Sequence, residues 1–87
     1  MQADHKRTRR LLNTAKGQIE GVVRMVEEDR YCIDVSNQLL ATIAILKKVN
    51  KEILHAHLSH CVYEAADADD RKEKLAEIAQ ILDTLSR

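Results

Sequence analysis

Two cysteines and four histidines supply the soft metal donors of this 87-residue chain, and most of them fall in two places. One is the pair Tyr31-Cys32. The other is the run His55-Ala56-His57-Leu58-Ser59-His60-Cys61. His57 and Cys61 are four residues apart, so on a helix they share a face and can grip one ion. With about 100° of turn per residue, His60 falls about 60° to one side of His57 and His55 nearly opposite it. His55 is the weakest ligand candidate of the run, and His60 stands just outside the pair.

Two ligands leave a metal too open, and Cys32 is the natural third. Two thiolates and one imidazole form a soft, low-coordinate set that suits Cu(I). Structural Zn(II) normally takes four ligands, which His60 or a carboxylate would have to complete, so zinc is the competing metal. The stripe Leu39, Ile43, Leu46, Ile53, His57 predicts a single helix from about residue 32 to about residue 61. Twenty-five residues of unbroken helix would separate Cys32 from His57 by about 37 Å. The three ligands therefore cannot meet within one chain. An antiparallel partner helix brings the start of one helix beside the end of the other. A two-fold dimer would then hold two equivalent sites, each with Cys32 from one chain and His57 and Cys61 from its partner.

The rest of the sequence must supply that partner surface. The chain is one domain at most, residues 1–87, with no proline and only two glycines, so the segments read as long helices. Leu12, Ala15, Ile19, Val22 and Val26 mark the first, by their 3-4-3-4 spacing. Gly17 and Gly21 share a face of it and read as a flat patch for a close helix. Glu27-Glu28-Asp29-Arg30 is the expected turn, with Asp29 capping the second helix. Asn50 sits in the apolar stripe of that helix, either fixing the register of a helix pair or simply solvated. Residues 65–70 end it or its continuation. Asp70 and Glu73 resemble a capping box opening a short third helix marked by Leu75, Ile78, Leu82 and Leu85. The expected fold is all-α: three helices, long, long and short. Hydrophobic residues make up 45% of a chain with only two aromatics, so this core is aliphatic and self-association is expected.

The net charge is zero but unevenly spread. Residues 1–24 carry six bases against two acids, and residues 61–87 seven acids against four bases. The basic front end keeps nucleic acid among the partners. No apolar run approaches the roughly 18–20 residues of a membrane span. A polar, basic N-terminus without a signal pattern predicts a cytosolic protein with reduced thiols. No nucleophile–base pair, phosphate loop or paired carboxylates point to an enzyme.

Asp29-Arg30-Tyr31-Cys32-Ile33-Asp34-Val35, Gln38 and the block from His55 to Cys61 resemble the copper-sensing repressors of the CsoR type, within the CsoR/RcnR family. Gly17-Gln18, Gly21, Arg24 and Met25 fit the same pattern, and the resemblance covers nearly the whole chain. It implies an all-helical protein that forms an antiparallel, four-helix-bundle-like dimer and then a tetramer. Such a protein binds operator DNA in the apo state and releases it on sensing its inducer. It implies Cys32, His57 and Cys61 as copper ligands, and Tyr31 and Glu77 as positions that couple the metal to DNA release. Nickel and cobalt sensors of this type have His where Cys61 stands, formaldehyde sensors lack the second cysteine and persulfide sensors lack the histidine. Thiol chemistry between Cys32 and Cys61, or with an electrophile, is the alternative within the family. Outside it, the alternative is a metal-binding helical oligomer that does not bind DNA.

No helix-turn-helix, zinc-finger or basic-zipper pattern is present. The basic tract Lys6, Arg7, Arg9, Arg10 with Lys16 on the first helix, and Lys47, Lys48 and Lys51 on the second, would form the DNA face by resemblance. An arginine common in the family's first helix falls at Leu11 here. Phosphate neutralisation would make binding fall steeply with salt, and DNA shape would contribute to sequence choice.

Overall fold

The computed structural model describes residues 1–62 and 68–86, with Cys61 and Val62 described by their backbone alone. The order is α1 (His5–Glu27), α2 (Cys32–His57), a π-helical segment (Leu58–Val62) and α3 (Ala68–Leu85). The all-α, three-helix expectation holds, and α3 is longer than expected at 18 residues.

Asp4 starts α1. Its carboxylate accepts the backbone N–H groups of Lys6 at 3.0 Å and Arg7 at 3.2 Å, two donors that have no partner inside the helix. The helix ends in a Schellman turn. The Arg30 N–H donates to the Met25 carbonyl, and the Asp29 N–H donates to the Val26 carbonyl. Asp29 occupies the left-handed position of that turn, with φ 54°. The expectation that Asp29 caps α2 is therefore corrected: it closes α1, and Tyr31 stands immediately before α2, its carbonyl accepting the Val35 N–H at 3.1 Å.

Two further boundaries differ. The second helix is expected to end at about residue 61; its α winding stops at His57, and five further residues, Leu58–Val62, close as a π-helix. α3 begins at Ala68, two residues before the expected cap. Asp69 and Asp70 lie in its first turn, where carboxylates favour the positive end of the helix dipole. Asp70 pairs instead with Lys74, one turn on, at 3.7 Å. The expected break over residues 65–67 lies outside the described residues.

The chain divides into two compact units. Asp4–Val49 forms one, from α1 and the front of α2. Ala15 and Val22 of α1 are buried there, with Thr42 and Val49 of α2. The Thr42 hydroxyl donates to Gln18 Oε1 at 3.0 Å and lies 3.2 Å from the Gln38 carbonyl, a polar link in an otherwise aliphatic layer. Met1–Ala3 with Asn50–Arg87 forms the other unit, where α3 packs on the π segment and Leu54 and Ile78 are buried.

Much of the predicted apolar stripe stays outside. Leu12, Ile19 and Val26 of α1 are exposed, as are Leu39, Ile43 and Leu46 of α2. Among the described residues the Gly17–Gly21 patch meets no other helix: a methyl group at Gly17 would touch nothing, and one at Gly21 only the Arg24 guanidinium at 3.8 Å. No helix among the described residues is long and apolar enough to cross a membrane.

Candidate metal centre and nucleic-acid interface

Cys32 is the first residue of α2, a free thiol on an exposed position. Tyr31, just before it, leaves 68% of its surface exposed. The Schellman turn and the Tyr31–Val35 hydrogen bond hold both residues at the mouth of the helix.

His57 closes the α winding of the same helix and is half-buried. It lines a groove with Met1, Gln2, Ile53, Leu54 and Ile81. His55 is exposed and lines a second groove with Lys51, Leu54, Leu58, Ile78 and Leu82. The two imidazoles thus line different grooves, which share Leu54. His60 is exposed on the π segment. Cys61 has its backbone in that segment, while its side chain lies outside the described residues. The shared face expected of His57 and Cys61 belongs to α winding; the i→i+5 closure here changes the phase between them. π turns of this kind recur at functional sites.

Cys32 and His57 thus stand at opposite ends of one helix. Among the described residues, no three Cys, His, Asp or Glu side chains gather where they could hold a metal. Glu77 is exposed on α3, beside the buried Ile78.

The basic residues divide by environment. Lys6, Arg9 and Arg10 line one concavity on α1 together with Asn13 and Thr14. Arg7 is half-buried and stands outside that lining, about 100° around the helix from Lys6. Lys16, Lys47 and Lys48 are exposed. Lys51 belongs to the groove it shares with His55. Sequence reasoning by charge alone passed over Asn13. Its signal was the spacing Lys6, Arg9, Arg10, Asn13, which repeats on one helical face.

Residues 4–84 match the family model described as metal-sensitive transcriptional repressor. The chain belongs to this family. Within it, the chain is similar to the copper-sensing transcriptional repressor CsoR of Mycobacterium ulcerans, 40% identical over 74 residues, 85% of this chain and 61% of the relative. It is also similar to the copper-sensing repressor CsoR of Bacillus subtilis, 36% identical over 70 residues, 80% of this chain and 69% of that one. The aligned stretch spans between about two-fifths and three-fifths of the length of the mycobacterial relatives it matches. Among solved structures, the Cu(I)-bound copper-sensing repressor CsoR of Geobacillus thermodenitrificans superposes with a TM-score of 0.82 at 32% identity, covering 94% of this chain and 85% of that one. The nickel-responsive regulator InrS matches with a TM-score of 0.77, also at 32% identity, covering 98% of this chain and 96% of that one. The chain therefore has the CsoR-type three-helix fold, and its family is one of transcriptional repressors rather than enzymes.

Proposed function

We propose that this chain is a cytoplasmic, Cu(I)-responsive repressor acting as a single domain over residues 1–87. It binds operator DNA in the apo form and lets go when Cu(I) occupies a site shared between two chains. The observation that carries this reading is the placement of Cys32 and His57 at the two ends of one 26-residue helix in a metal-sensitive repressor. A free, exposed thiol at one end and a half-buried imidazole at the other suit a site completed by an antiparallel copy.

Cys32 would come from one chain, and His57 and Cys61 from its partner. The donor set fits Cu(I): thiolates select a soft ion, and three ligands satisfy one of low coordination number. When bound, the ion supplies a soft Lewis acid joining those thiolates and that imidazole. Zn(II) would call for a fourth ligand. The relatives named copper-sensing support copper, and the match to the nickel-responsive InrS gives the second reading, a different metal on the same fold. Tyr31 and Glu77 are proposed to couple the site to DNA binding, and pairs of dimers to form the DNA-binding tetramer.

Lys6, Arg7, Arg9, Arg10, Lys16, Lys47, Lys48 and Lys51 are the proposed cationic surface for DNA. The coupling is a linkage: the conformer in which the three ligands come together is the one whose cationic surface fits DNA less well. An anaerobic Cu(I) titration of the apo protein–DNA complex tests this. The wild type is expected to release DNA with one ion per chain, and His57→Ala to need at least tenfold more copper. Release by Ni(II) but not Cu(I) would favour the second reading.

A further inference from the structure

The α1 concavity holds one uncharged amide among its cations. Measured around the helix from Lys6, Arg9 lies about 60° to one side and Arg10 about 40° to the other, with Asn13 about 20° from the Lys6 line. Asn13 thus occupies the middle of the face and the arginines its flanks, and all of them are exposed. Among the described residues the Asn13 amide makes no hydrogen bond, and no ion pair engages Lys6, Arg9 or Arg10. Thr14, on the edge of the concavity, has its hydroxyl donated to the Arg10 carbonyl at 3.1 Å.

The apolar stripe of α1 is centred on Ala15 and Val22, both buried, about 160–180° from the Lys6 line. Any packing that covers the stripe leaves Asn13 on the outermost line of the helix. A helix laid along the major groove presents that line to the base edges, while its flanks face the phosphates on either side. Cations on the flanks bind phosphates and carry little sequence information. An amide has one acceptor and two donors, the pattern that pairs with the N6 and N7 edge of adenine.

We infer that Asn13 is a base-reading residue of this repressor, recognising an adenine edge in the major groove while Arg9 and Arg10 hold the flanking phosphates. The inference rests on the DNA-binding function proposed above. It assigns to the concavity a division of labour, with specificity at its centre and affinity at its rim.

The test uses the full-length apo protein and a duplex that the wild type enriches from a random pool, with a scrambled duplex beside it. Binding is followed by fluorescence anisotropy over a series of salt concentrations. Asn13→Ala is expected to weaken the enriched duplex about 5- to 150-fold, the range for one lost bidentate base contact. The scrambled duplex and the salt slope should stay as in the wild type. Arg10→Ala is expected to weaken both duplexes together and reduce the salt slope by about one. Alanine favours helix at this exposed position, and far-ultraviolet circular dichroism verifies that α1 is kept. Equal weakening of both duplexes by Asn13→Ala, or no effect on either, overturns the inference. A wild type that binds duplex DNA without enriching any sequence overturns it too, and leaves the proposed DNA binding standing. A wild type that binds no duplex sinks both.

Discussion

Thr42 is 3% exposed, and its one hydroxyl proton faces two acceptors, Gln18 Oε1 on α1 and the Gln38 carbonyl one turn back on α2. Bonding to the carbonyl four residues earlier is a local habit of threonine in helices. The bond to Gln18 is the one that ties two helices together. Thr42→Val keeps the shape and removes the hydroxyl, leaving a part-buried amide without its donor. The expected loss is about 1–2 kcal/mol, read as a lower urea midpoint at unchanged slope. Nothing in the sequence pattern announced this pair. Threonine and glutamine fall between apolar positions in α1 and α2, and periodicity reports which face is buried, not which polar groups meet on it. The placement of Cys32 and His57 at the two ends of one helix, by contrast, was legible, because apolar spacing needs no tertiary contact to be read.

At the scale of elements, helix existence followed from the apolar spacing, and the ends did not. Asp29 shows why. A short polar side chain before a helix reads as a cap, yet aspartate also tolerates the left-handed conformation better than most residues. Here the second property is used, and the carbonyls of Val26 and Met25 receive the N–H groups of residues 29 and 30. Glycine is the favoured residue at that position because it has no Cβ to strain. Asp29→Gly is therefore expected to stabilise the protein by about 0.5–1 kcal/mol, measured as a raised denaturation midpoint. The π turn after His57 was equally hidden. Leu58-Ser59-His60-Cys61-Val62 has no proline or glycine to mark a change of winding. The segment's winding comes with packing against α3, which no local pattern encodes.

At the scale of the molecule, the proposed site has a signature that a single-chain site lacks. Cys32→Ala and His57→Ala chains each lose both sites of their own dimer. Refolded together, a mixed dimer regains one complete site, with Cys32 from the His57→Ala chain and His57 and Cys61 from the Cys32→Ala chain. An anaerobic competition titration against a Cu(I) chelator is expected to find tight binding in the mixture, at one ion per mixed dimer, and none in either parent. No recovery on mixing would remove the shared site.

Among the described residues, only Ala15, Val22, Val49, Leu54 and Ile78 are buried apolar side chains. A core so thin leaves a solitary copy poorly protected, and its exposed leucines and isoleucines become an asset only on meeting another copy. In the assembly proposed here, folding and pairing form one equilibrium governed by mass action. Working repressor then rises more steeply than the number of chains made, since at low abundance the yield of pairs follows the square of the dose. On that reading a cell that halves its supply of this chain would lose more than half of its regulator, and the sparse interior would give the proposed repressor a threshold in abundance as well as a response to metal.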